Sequence, residues 1–158
     1  YAKIHLFDVK LNDQLTVQES DKFAAGDQVV TVDTPVGRIG LSICYDLRFP
    51  ELYRELSLQQ ATILLVPAAF LAHTGKAHWE VLLRARAIEN TCYVVAANQH
   101  GLRNNGIESH GHSMVVGPWG QVIDQLADGD GHVLADISQQ DIDDVRHRLP
   151  ALSHRTLG

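Results

Sequence analysis

The stretch Gly40-Leu41-Ser42-Ile43-Cys44-Tyr45-Asp46-Leu47-Arg48-Phe49-Pro50-Glu51 decides the fold. Its first half reads as the end of a strand, Pro50 suits the first turn of a helix, and a cysteine stands where one gives way to the other. Upstream, the β-branched run at 29–33 and the turn Thr34-Pro35-Val36-Gly37 lead into a second strand over 38–44, so a hairpin is predicted. Downstream, Leu52, Leu56 and Gln59-Gln60 keep a helical spacing up to a strand over 62–66. Strand, turn, helix, strand is a β/α pattern, and the fold class is α/β.

The same alternation continues along the chain. Residues 77–90 mix Trp79, Leu82, Leu83, Ala85, Ala87 and Ile88 with charges as an amphipathic helix, and residues 92–97 read as a strand covered on both faces. Short strands are expected over 112–116, 121–126 and 132–137, after which Ser138 caps a last helix through Arg148. Before the hairpin, residues 2–7 alternate polar and apolar like a strand, and residues 8–26 form a long polar loop. Residues 101–111 read as another loop.

The 158 residues carry 13 Lys and Arg against 19 Asp and Glu, a formal charge of −6, and 45% of them are hydrophobic. A chain of this size buries roughly 68–70% of its unfolded surface, so a single domain over residues 1–158 is expected to fold without staples. The acidic balance argues against nucleic acid, whose non-specific binding is largely phosphate neutralisation. No apolar stretch approaches the roughly 18 residues of a spanning helix, so no membrane partner is expected. Two cysteines make no disulfide framework, which points to a reducing, cytoplasmic setting. The chain opens at Tyr1 without a methionine and enters a strand-like segment at once, which reads as a cut.

Cys44 has two readings: a small core residue, or a nucleophile whose thiolate is favoured by the positive end of the helix that follows. Asp46 and Arg48 form either a turn ion pair or, in the case of Arg48, a fork for a substrate carboxylate. Cys92, among Val and Ala in a covered strand, reads as core. The nine histidines show no compact metal-ligand spacing, and no metal or other cofactor is expected. By their surroundings alone, Lys3 is an edge-strand lysine and Glu19 a loop acid.

Taken together, Tyr1-Ala2-Lys3-Ile4-His5-Leu6-Phe7-Asp8, Gln18-Glu19-Ser20, the Gly40 to Glu51 stretch and Ala77-His78-Trp79-Glu80 with Arg84-Ala85-Arg86-Ala87 resemble the nitrilase superfamily of carbon–nitrogen hydrolases. Gly111-His112-Ser113-Met114-Val115-Val116, Pro118-Trp119-Gly120, Leu149-Pro150 and His154-Arg155 are most similar to its deaminated glutathione amidase branch, with the omega-amidase branch next. The resemblance implies a nitrilase-like α-β-β-α sandwich, here the incomplete C-terminal portion of a domain lacking its N-terminal segment. It implies a Glu-Lys-Cys triad in which Lys3 and Cys44 match two members, Glu19 matches a supporting second glutamate, and the first glutamate has no counterpart. The implied reaction is hydrolysis of a small acid amide to acid and ammonia through a Cys44 thioester, with Lys3 and the Tyr45 N–H facing the oxyanion. Arg48, Phe70 and Thr74 would supply a carboxylate fork, an apolar wall and a hydroxyl to a small-molecule amide substrate. The alternatives are an N-carbamoyl or nitrile hydrolase, or a non-catalytic relative acting as a binding domain. The family also implies a homodimer or larger homo-oligomer, built on the helix after Cys44 and the helix over 77–90, and inactivity of these 158 residues alone.

Overall fold

The computed structural model of the chain describes residues 1–10, 16–104 and 106–157. Near the start, β1 (Asp8–Lys10) and β2 (Thr16–Gln18) pair with each other, apart from the main sheet. The expected hairpin is present: β3 (Thr31–Thr34) runs antiparallel to β4 (Gly37–Leu41), with Thr34 opposite Gly37. From β4 the chain passes through α1 (Pro50–Leu58) to β5 (Ile63–Leu65), then through α2 (Ala72–Asn90) to β6 (Tyr93–Ala96). These three strands are parallel, as helical crossovers require. A separate hairpin follows, β7 (His100–Leu102) with β8 (Glu108–His110). Antiparallel β9 (Met114–Val116) and β10 (Val122–Gln125) complete one six-stranded sheet in the order β10-β9-β6-β5-β4-β3, and α3 (Gln139–Arg148) comes last.

The helices form where apolar residues recur with helical spacing. Pro50 opens α1 and Leu52, Tyr53 and Leu56 turn inward; α2 buries Gly75, Trp79, Leu83 and Ala87, four residues apart, and ends where Thr91 enters the left-handed region at φ 47°. Both helices cover one sheet face, packing with Leu64, Val66, Val94, Ala96 and Met114, while Ile142 of α3 meets Ile63 and Tyr93 on the other. The Leu, Val, Ile and Met side chains among them each contribute about 1.5–3 kcal/mol on burial. Two-sided covering explains why β5 and β6 are apolar without alternation. The fold is thus α/β, although the described residues contribute only one large sheet and Ile39, Leu65 and Val95 on the α3 side stay partly buried. No helix among them is long and apolar enough to cross a membrane.

Several expected elements are displaced. Helix α2 starts at Ala72 rather than 77, because Gly75 is helical and leaves room for the His110 ring, which a Cβ there would meet at 2.3 Å. The loop over 101–111 contains most of the β7–β8 hairpin, and the loop over 8–26 contains β1, β2 and a 3-10 turn at Glu19–Asp21, while residues 11–15 lie outside the described residues. Residues 132–137 form no strand; there the Leu134 N–H turns to the Asp124 carboxylate at 2.9 Å. The strand predicted over 38–44 stops at Leu41, and Cys44 instead opens a 3-10 turn, Cys44–Arg48.

Residues 2–7 are not a strand either, because their polar groups find side-chain partners. The fully buried Asp46 carboxylate accepts the Tyr1 hydroxyl at 2.7 Å, the His5 N–H at 2.9 Å and the Ile43 N–H at 2.9 Å, with His5 Nδ1 2.8 Å away. The His5 ring stacks on Phe49 with centroids 3.7 Å apart, and Tyr45 meets both Phe49 and Phe7 edge-on. Burial, with Asp46 beside it, pushes the Tyr1 hydroxyl above its ordinary value. A raised pKa means that this contribution to stability is complete below the unfolded value near 10 and is lost as alkali exceeds it. Asp46→Ala strands several donors that are each worth about 1–3 kcal/mol when buried, so urea unfolding is expected to show a loss of about 3 kcal/mol or more. A loss below about 1 kcal/mol would contradict this role.

Candidate active site

A cleft of about 910 Å³ opens beyond the C-terminal ends of β4, β5 and β6, the edge where parallel sheets commonly receive ligands. Cys44 lines it with φ at 50°, a left-handed conformation that costs a non-glycine residue about 1 kcal/mol. The surroundings impose that conformation. The Cys44 N–H donates to the Pro67 carbonyl at 2.9 Å, and the buried Arg86 guanidinium donates twice to the Leu47 carbonyl, at 3.1 and 2.8 Å. Strain held by tight packing is a mark of functional positions.

Lys3 and Glu19 enter the same cleft. Lys3 Nζ pairs closely with Glu19 Oε2, and the Phe7 N–H donates to the same oxygen at 2.7 Å. The Lys3 side chain is only 10% exposed, so the edge-strand reading of this lysine gives way to a buried ion pair. Among the described residues lining the cleft, Glu19 is the one carboxylate.

The electrostatics of Cys44 differ from the expected thiolate. Burial pushes its thiol up and Glu19 adds to that, while the Ala69 N–H, Lys3 and Arg103 pull the other way. Helix α1 begins only at Pro50, beyond the first-turn reach of its dipole. Cys92 is sealed in the core, its sulfur 3.0 Å from the Ala61 carbonyl and 3.1 Å from that of Asn90, and burial pushes its thiol up to about 11.

Tyr45, Arg48, Phe70 and Thr74 all line the cleft as well. Arg48 forms no turn pair with Asp46, whose oxygens face Tyr1, His5 and Ile43. Its guanidinium lies 5.0 Å from the Phe70 ring centre and 5.9 Å from that of Tyr45, with Nη1 3.2 Å from His78 Nδ1. Burial lowers its pKa, yet a guanidinium keeps its charge. Phe70 packs against Trp79, and the Thr74 hydroxyl reaches the Leu71 carbonyl at 3.4 Å in the first turn of α2.

Two cleft residues escaped the sequence reading. Asn98 accepts the Phe70 N–H at 2.9 Å and donates to the Gly111 carbonyl at 2.7 Å; the signal was a polar residue directly after an apolar strand. Arg103 lies in what the sequence presents as a featureless loop. His110 and His112 stack at 4.5 Å, but no group of three metal-ligating side chains occurs among the described residues.

Residues 1–147 match the family model of the carbon-nitrogen hydrolases. The chain belongs to that family. A deaminated glutathione amidase of Synechocystis sp. is 49% identical over 157 residues, covering 98% of this chain and 58% of the relative. The crystal structure of the NitFhit protein of Caenorhabditis elegans superposes with a TM-score of 0.93 at 49% identity, covering 99% of this chain and 38% of that one. An amidase from Nesterenkonia sp., solved with acrylamide added to its active-site cysteine, gives a TM-score of 0.72 at 29% identity over 96% of this chain and 56% of its own. The fold is therefore nitrilase-like, and the chain spans about half the length of the curated relatives it matches.

Thiol reactivity tests this electrostatic picture. Iodoacetamide labelling followed by peptide mapping is expected to modify Cys44 before Cys92, with the Cys44 rate still rising above pH 9.0 because burial holds its thiol protonated. Glu19→Gln is expected to move that profile to lower pH and Lys3→Met to higher pH, since one charge opposes the thiolate and the other favours it. Faster labelling of Cys92, or unmoved profiles, would refute the assignment.

Proposed function

We propose that this chain carries the nucleophile and oxyanion side of an amidase acting on small acid amides, of the deaminated glutathione or omega-amide type. The observation behind this reading is the convergence of Cys44, the Lys3–Glu19 pair and Arg48 in one cleft. The names of the relatives, and the modified cysteine of the Nesterenkonia amidase, support it.

In this reading the Cys44 sulfur bonds to the amide carbonyl carbon as the C=O electrons move onto oxygen. The Lys3 ammonium and the Tyr45 N–H receive that oxyanion, a donor of this kind being worth about 3 kcal/mol. Re-forming the carbonyl breaks the C–N bond; the amine leaves with a proton, and water then attacks the thioester to release the acid and restore the thiol. Because burial keeps Cys44 protonated, attack needs a base that takes the thiol proton and returns it to the leaving nitrogen. Glu19 is committed to Lys3 and the Phe7 N–H, so we assign this proton transfer to a carboxylate upstream of Tyr1, in an N-terminal segment of the same domain. Glu19 then holds Lys3 in place within the cleft. Two copies are proposed to associate through α1 and α2, whose outer surfaces leave Leu58, Val81 and Ile88 exposed.

The test is amine or ammonia release from deaminated glutathione and from an omega-amide of a dicarboxylic keto acid. A chain extended upstream is expected to be active, and the 158 residues alone to lose about 10²–10⁴-fold or more. Cys44→Ala is expected to abolish turnover, and Lys3→Ala to lower kcat about 10²–10³-fold. Equal activity of the two lengths would remove the upstream acid from the mechanism, and activity in Cys44→Ala would remove the nucleophile. Light scattering of the extended chain is expected to show at least a dimer; a monomer would remove the proposed contact.

A further inference from the structure

Helix α2 carries a charge on its inner face. Arg86 lies among the residues that this helix turns inward, with a side chain only 5% exposed. For stability alone an apolar side chain of similar size would serve there as well or better, because a buried cation loses its hydration. Its Nε and Nη2 groups both donate to the Leu47 carbonyl, at 3.1 and 2.8 Å, Nη1 donates to Glu89 at 2.9 Å, and the guanidinium lies 5.3 Å from the Tyr53 ring centre. Arg86, Leu47 and Tyr53 all lie outside the described lining of the cleft.

The Leu47 carbonyl needs this partner for a reason written in the sequence. It lies in the 3-10 turn Cys44–Arg48, where the next donor in line is the N–H three residues on; that residue is Pro50, which has none. Leu47 is fully buried, so leaving its carbonyl without a donor is costly. Arg86 closes the gap from another helix. The other end of the turn is held as well: Ser42, just before Ile43 and Cys44, meets the Tyr53 hydroxyl at 2.7 Å while its own hydroxyl donates to the Leu65 carbonyl at 2.8 Å. The strained Cys44, at φ 50°, thus stands between two holds that meet at one contact, Arg86 over the Tyr53 ring.

We propose that Arg86 is a positioning residue: acting through the Leu47 carbonyl and the Tyr53 ring, it holds the Cys44–Arg48 turn in the left-handed arrangement that keeps the sulfur in the cleft. The inference rests on the amidase reading above for its effect on turnover, and extends that reading to a residue remote from the reacting atoms. The charges that weigh on the Cys44 thiol are those of Lys3, Glu19 and Arg103. A changed reactivity in an Arg86 variant therefore reports movement of the sulfur rather than loss of a nearby charge.

The test uses the full-length protein with Arg86→Met, which keeps an unbranched chain but has no donor, Arg86→Lys, which keeps a cation, and Tyr53→Phe, which keeps the ring and loses the hydroxyl. Turnover of an omega-amide of a dicarboxylic keto acid, iodoacetamide labelling of each cysteine and urea unfolding are measured together. Arg86→Met is expected to lower kcat about 10²-fold, the cost of a small misplacement of a reacting group, with KM within about threefold of the parent. Arg86→Lys is expected to recover about tenfold of that loss, and Tyr53→Phe to lower kcat about threefold to tenfold. In Arg86→Met the Cys44 labelling rate is expected to rise about threefold or more, because a relaxed turn leaves the sulfur less buried, while Cys92 stays sealed. A merely structural arginine would shift the urea midpoint alone. An unmoved kcat per folded molecule, an unmoved Cys44 labelling rate, or a raised KM at full kcat would each overturn the proposal. If Arg86→Met loosens the chain enough to label Cys92 too, the other two variants decide: kcat and Cys44 labelling within about twofold of the parent in both would overturn it equally. An unaltered protein that hydrolyses no amide would sink the amidase reading, while the labelling arm would still decide the role of Arg86.

Discussion

The carboxylate of Asp46, sealed from solvent two residues after Cys44, is what joins the two halves of the candidate site. It takes hydrogen bonds from Tyr1, His5 and Ile43, and so ties a segment without regular structure to the turn that presents Cys44. Lys3 lies between two of its anchors. The stacked His5 and Phe49 rings and the edge-on contacts of Tyr45 fix the path of the segment further. A buried, unpaired carboxylate would cost several kcal/mol; fully satisfied, the same group specifies one arrangement of chain. The position of Lys3 thus depends on a residue that never touches it.

The cysteine pays for its place. Burial raises its thiol and the left-handed backbone strains it, while Lys3, Arg103 and the Ala69 N–H favour the thiolate without prevailing. The balance of these effects favours the thiol over the thiolate. A protonated, largely buried sulfur is also less open to oxidation, because susceptibility follows thiolate character and exposure.

How much of this was legible in the sequence follows from the range of the interactions concerned. The hairpin at Thr34-Pro35-Val36-Gly37, the Pro50 helix and the apolar strands β5 and β6 depend on local turn chemistry and on burial from both sides, and both are written into neighbouring residues. Residues 2–7 alternate like a strand but are claimed by Asp46, some forty positions away. Helix α2 begins before residue 77 because the ring that occupies the space beside Gly75 belongs to His110, far along the chain. Lys3, Glu19, Cys44, Tyr45, Arg48, Phe70 and Thr74 line one cleft, whereas the residues alone favoured solvated roles for Lys3 and Glu19. Arg103 carries no local signal, since its partners Ser109 and Ala69 meet it only once the β7–β8 hairpin has folded over α2.

Charge and rigidity are divided between different parts of the fold. The parallel strands β4, β5 and β6 end side by side, and their continuations deliver Cys44, the Pro67 to Phe70 wall and Asn98. These groups are bound to one another through the backbone: Cys44 N–H to Pro67, Gln99 N–H to Ala68 and Phe70 N–H to the Asn98 side chain. Cys44 and the wall are therefore fastened to the ends of the sheet strands. The groups that give the cleft its charge come instead from peripheral segments: Lys3 and Glu19 from the opening residues, Arg103 from a hairpin outside the sheet. Cys44 and the wall of the cleft thus sit on the sheet layer, whereas Lys3, Glu19 and Arg103 reach the same cleft from segments outside it.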